Sequence, residues 1–271
     1  MKLFYFRRVL LPVALFALSP LAIAQDASIE EQAREILEQN KGALVIVSVS
    51  ARLIATAAGE PLPENEQVRQ ATGVTVSDEG LVVISNSAID PSAGLVGEQG
   101  RFDDEVVTIQ TAKMEFDSIE ISYGDRTTLK GKLVRQDVGA DVAFILPDAE
   151  QAESINKTFS KVDLSQFAST VDVADRVVGL SRAPSFYGYL PMVAVGRING
   201  VFKSDRTFYV TEVASSQGEP IFTLDGRPVG ITVVRMIEGK PTGVLGTLSA
   251  GSIEVMANLV TSSLEEEAEA E

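Results

Sequence analysis

The sequence predicts an all-β protein, built of antiparallel barrels or a sandwich, with a helix near each end. Three observations predict it. Short runs rich in Val and Ile recur along most of the 271 residues. Polar turn signals separate many of them, at Asp78-Glu79-Gly80, Gly124-Asp125, Asp225-Gly226 and Glu238-Gly239. No helical pattern alternates with the runs, which disfavours a parallel α/β sheet. Apolar residues make up 45% of the chain, enough to fill a core. Aromatics are only 6% and Trp is absent, so Val, Ile, Leu and Ala must build that core.

The elements follow in order. Residues 1–24 read as a secretory signal. Lys2, Arg7 and Arg8 form a basic start, Val9 to Leu18 is apolar, and Ala22-Ile23-Ala24 is a small-x-small cleavage site before Gln25. The apolar run falls short of the ~20 residues of a bilayer span. Cleavage after Ala24 is therefore expected rather than an uncleaved anchor. No Cys follows to carry a lipid, and no second long apolar run exists. The expected product is a soluble protein of the periplasm or the medium.

A short helix is expected over 25–42. Ser28 and Glu31 fit a capping box, Ile29, Ala33, Ile36 and Leu37 share a face, and Asn40 to Gly42 end it. Strands are expected at Ala43–Ser50, Thr72–Ser77, Leu81–Ser85, Val106–Gln110, Ser118–Tyr123, Thr128–Arg135 and Asp141–Leu146. A second group follows at Arg176–Ser181, Met192–Asn199, Phe208–Val213, Pro220–Thr223, Pro228–Val234 and Gly243–Gly246. Asp90 to Asp104 reads as a surface loop, and Glu150 to Ser169 as a polar linker between two β units. Ile253, Met256, Ala257, Val260 and Leu264 recur at helical spacing and predict an amphipathic helix. Glu265 to Glu271 is an acidic, solvated end.

Composition narrows the chemistry. The chain holds no His and no Cys. That removes the commonest general base, the commonest transition-metal ligand and any disulfide. No acidic cluster has calcium-loop spacing. Neither a metal site nor a cofactor is expected. The net charge of −15 becomes −18 once the three basic residues of the signal are gone. Such a charge repels nucleic acid and anionic lipid and favours solubility. The carboxylates Asp103, Asp104, Glu105 and Asp148 could suggest paired acid–base work, but their setting in loops and turns predicts solvated surface charge.

Four stretches, in order, resemble the HtrA/Do-type branch of the chymotrypsin-fold serine proteases. Ala71–Ile89 (ATGVTVSDEGLVVISNSAI) resembles the hairpin that leads to that family's catalytic histidine. Ser118–Asp148 resembles the stretch that leads to its aspartate. Val173–Gly200 is similar to the start of its second barrel, and Phe208–Val234 (FYVTEVASSQGEPIFTLDGRPVGITVV) to its nucleophile loop and the hairpin behind. The resemblance implies a chymotrypsin-like double antiparallel β-barrel. The first barrel would span 43–149. The linker and second barrel would span 150–250, and a helix and acidic tail 251–271. The PDZ domain common in the family is not expected.

Carried over residue by residue, the triad fails. Ser85-Asn86-Ser87-Ala88-Ile89 puts Ala88 where the family has His. Asp141, in Ala140-Asp141-Val142-Ala143, matches the aspartate. In Ser215-Ser216-Gln217-Gly218-Glu219-Pro220, Gln217 falls at the nucleophile. A serine hydroxyl needs a base, and the base needs an orienting group. Losing the base alone costs about 10⁶ in turnover in a comparable protease. The oxyanion loop is degenerate too, with Ser215 and Ser216 before Gln217, and Glu219 after Gly218, where a carboxylate would oppose a developing oxyanion. The expected reading is a pseudoprotease that binds a peptide or protein or acts as a scaffold. Two alternatives stay open: an active endopeptidase using an unidentified pair, such as Ser215 or Ser216 with Lys130, Lys203 or Lys240, and a regulatory subunit of an active protease. Oligomer formation is left open.

Overall fold

The computed structural model describes residues 21–102 and 105–270. The expected signal lies outside the described residues up to Pro20, as do Asp103 and Asp104.

The protein is mostly β, with two antiparallel units and helices near both ends. The first unit holds β1 (Leu44–Ala57), β2 (Glu60–Pro61), β3 (Asn65–Thr75), β4 (Val82–Ser85), β5 (Gln99–Phe102), β6 (Glu105–Ser122), β7 (Thr128–Asp137) and β8 (Val142–Pro147). Their order is β2-β1-β3-β4-β8-β7-β6-β5, and β1 also pairs with β6, so six of them close into a ring. The second unit is a closed barrel of β9 (Arg176–Arg182), β10 (Pro191–Lys203), β11 (Thr207–Thr211), β12 (Pro220–Thr223), β13 (Pro228–Ile237) and β14 (Lys240–Ser249), in the order β10-β11-β14-β13-β12-β9. Closure removes the free sheet edges that an open sheet would expose.

Alternation along the strands explains how the units meet. Val45, Val47, Ile84, Ile121 and Ile145 fill the first ring. Their neighbours Leu44, Val83 and Phe144 point the other way, into a core shared with Val178, Leu180, Phe222 and Val233 of the second unit. Strands buried on both faces read as unbroken apolar runs, as Leu81 to Ile84 does. A third cluster, including Val177, Ile198, Tyr209 and Ile221, fills the second barrel.

Among the described residues the α-helices are α1 (Leu21–Asn40), α2 (Asn86–Ile89), α3 (Ser92–Leu95), α4 (Ala149–Ser154) and α5 (Ala250–Ala270). Ile29, Ala33 and Ile36 of α1 are buried, and Ile253, Met256, Ala257 and Val260 of α5 are buried in the shared core. The start of α1 corrects the capping box: the helix begins at Leu21, so Ser28 lies inside it. Leu21 to Ala27 offers mostly good helix formers and nothing that breaks a helix. Other expectations change as well. The two strands expected at Val106–Gln110 and Ser118–Tyr123 are one, β6. The segment between them alternates polar residues with Ala112, Met114 and Phe116, as a strand does, and pairs with residues 51–56 of β1. The expected loop at 90–104 contains α3 and β5. The expected linker contains most of α4, a 3-10 turn at Leu164–Gln166, and buried Val162, Leu164 and Ala168.

Candidate functional site

Where the two units meet, Asp141 sits in the turn that enters β8. It is fully buried, and its φ of 58° lies in the left-handed region that Asp tolerates better than most residues. Three bonds fix the turn: Asp141 N donates to Val138 O at 3.2 Å, Asn86 N donates to Asp141 O at 2.9 Å, and Ala140 N donates to Asp137 Oδ1 at 2.9 Å. The Asp141 carboxylate then accepts from Ser85 Oγ at 2.5 Å, Ser87 N at 2.6 Å and, across the junction, Val234 N of β13 at 2.7 Å. Burial pushes its pKa up, and the Ser85, Ser87 and Val234 donors pull against that without cancelling it.

Gln217, in the loop between β11 and β12, reaches back across the same junction. Its Nε2 donates to Ser87 Oγ at 2.7 Å and to Ser85 Oγ at 3.2 Å. A polar chain therefore runs from Gln217 through Ser85 to Asp141. Such chains are worth most when every member is satisfied in a buried setting. Ala88 lies on α2, one residue beyond Ser87, with its methyl in the first-ring core and its carbonyl accepting from Arg69 Nε at 2.9 Å. Thus Asp141 and Gln217 share Ser85 and Ser87 as partners, directly before Ala88.

The Ser215–Glu219 loop is closed upon itself. The Glu219 carboxylate is 3% exposed and accepts four bonds: Ser215 N at 2.9 Å, Ser215 Oγ at 2.8 Å, Ser216 N at 3.0 Å and Ser216 Oγ at 2.9 Å. Two successive backbone N–H groups form an anion cradle, and a side chain of the same loop already fills it. Gly218 is required beside it. Its φ is +85°, its N–H donates to Thr232 O at 2.7 Å, and a Cβ there would come within 1.8 Å of Thr72 O. The hydroxyls of Ser215 and Ser216 thus serve Glu219. The lysines weighed as partners stand elsewhere: Lys130 on β7, Lys203 on β10, and Lys240 near Gly97.

Asp148 caps α4, accepting from Gln151 N at 2.9 Å. Among the described residues no group of three or more His, Cys, Asp or Glu is placed to hold a metal ion. No helix among them is long and apolar enough to cross a membrane.

Sequence reasoning missed Ser85, Ser87 and Val234 as partners. The polar break Ser85-Asn86-Ser87 after an apolar strand was visible, but nothing local points it at Gln217, about 130 residues away. No protein-family model and no curated protein sequence matches the chain, so the geometry of this junction is what a functional reading must rest on.

Proposed function

We propose that the chain is a non-catalytic relative of the HtrA-type trypsin-like proteases, exported by its N-terminal signal, that binds extended protein segments between its two β units. One observation carries this reading. Asp141 keeps a full set of donors from both units while the base and nucleophile positions hold Ala88 and Gln217. On this reading the tie between the units is that of a protease, and the residues of its chemistry are replaced.

An open strand edge supports binding. β12 pairs with β13 between Pro228 and Ile231, the N–H of Val234 is taken by Asp141, and past it Met236 and Ile237 pair with β14 alone among the described strands. An extended peptide can add to such an edge through main-chain bonds, without any triad. Among the described residues the group bonded to the Ser215 and Ser216 hydroxyls is the Glu219 carboxylate, which those hydroxyls and their two backbone N–H groups hold as the filler of its own loop.

Fluorescently labelled casein, unfolded and titrated with the purified protein, should show saturable anisotropy without cleavage. Absence of any complex at high concentration overturns the binding reading. Covalent labelling of Ser215 or Ser216 by a serine-reactive probe overturns the non-catalytic one.

A further inference from the structure

A different part of the molecule carries a site for which the junction has no use. Two hollows of about 300 and 380 Å³ lie side by side, sharing Tyr123, Gly124, Arg182 and Pro191 as a common wall. Lys41 and Lys157 line one and Arg126 the other. The carboxylates at hand are Asp125, bonded to Lys157 at 2.5 Å, and Glu38, bonded to Lys41. Four cations against two carboxylates make a positive trough on a chain whose net charge is −15.

Arg182 is the centre of it. Its Nε donates to Leu44 O, its Nη1 to Tyr189 O and its Nη2 to Lys41 O, each at 2.9 Å. These three bonds fix the guanidinium plane. They leave one N–H free on each terminal nitrogen, since a guanidinium carries five donors. Among the described residues Arg182 has no carboxylate partner. The group therefore stands half-buried with its charge offset only by carbonyl dipoles, and burial pulls its pKa down. Gly124 makes room for it, because a Cβ there would come within 2.5 Å of Arg182 Nη2.

Tyr123 is 7% exposed and lines both hollows, while its hydroxyl is closed off from solvent. We propose that this trough binds a small molecule through its oxyanion, a carboxylate or a phosphate, seated on Arg182 and flanked by Lys41 and Arg126. The Tyr123 ring and Pro191 would line a compact apolar body.

The experiment is an amide NMR titration of residues 25–271, the chain expected after signal removal, with sodium phosphate and, separately, sodium acetate. Sodium chloride at matched ionic strength is the blank. Saturable shifts confined to residues 41–42, 122–126 and 182–192 are expected with at least one anion, and the stronger response tells phosphate from carboxylate. Lys41 and Arg126 are exposed, so the K41Q/R126N variant should fold normally and bind about tenfold more weakly. R182Q should lose the response, with far-UV circular dichroism reporting whether it remains folded. Equal, unsaturable shifts with both anions and chloride overturn the proposal, as does an unchanged affinity in K41Q/R126N. Casein binding is read separately and leaves this outcome untouched.

Discussion

Asp141 is held by donors from β4, from α2 and from β13, so a change at this one residue reports on the whole junction. Asn keeps its size and its tolerance of a left-handed φ, but turns one acceptor into an NH₂ that faces a donor. D141N should lower stability by about 2–4 kcal/mol, the scale of a buried charged acceptor lost among its partners. Urea unfolding should show a lower midpoint at an unchanged slope. A shift of less than a few tenths of a kcal/mol would show that the carboxylate is not the junction's tie. The sequence revealed Ala88, Asp141 and Gln217 because each falls inside a recognisable local string. It did not reveal that Glu219 fills the cradle below Ser215 and Ser216. That depends on Gly218 turning against Thr72, a contact made by tertiary packing.

At the scale of elements, α5 shows how far periodicity reads. Ile253, Met256, Ala257 and Val260 recur at helical spacing and are buried as that spacing implies, whereas Val255 on the other face is 59% exposed. Ile253 is fully buried in the core shared by both units. I253A should cost about 2–5 kcal/mol, and V255A about 0.5 kcal/mol or less. Equal thermal midpoints for the two variants would mean that α5 does not hold the core. The long arm of β1, β3 and β6 was not legible in this way. Residues 65–70 are polar, and Val68 is 79% exposed, so no apolar face marks them as strand. Their order comes from the main-chain ladder to β1, which alternation cannot announce.

At the scale of the molecule, the polar stretch at 150–169 and the resemblance led to an expectation of two β units, but strand counting did not tell how the first one closes. β1 closes it by pairing with β3 on one edge and β6 on the other, and side-chain alternation names a face, never a partner. Two carboxylates of the first unit also respond to acid in opposite ways. Burial raises the Asp125 carboxyl, but bonds from Lys157 and Thr127 outweigh it and bring its pKa to about 2. A depressed pKa stabilises the folded state above the ordinary carboxylate value of about 4, and that contribution is lost as pH falls toward 2. Asp141 runs the other way. Its raised pKa gives a contribution that is present below the ordinary value and fades as pH rises through the folded one. Acid should therefore open the Lys157–Asp125 clasp while relieving the buried charge at the junction. In a stability profile by urea denaturation, D125N should show a shallower loss than the parent chain between about pH 4 and pH 2. D141N should show a steeper one, because the group that gains from acid is gone. Identical acid limbs for the parent and D125N would mean that the clasp plays no part in acid unfolding. Self-repulsion of the 23 basic residues, left unopposed as carboxylates protonate, would then account for the loss.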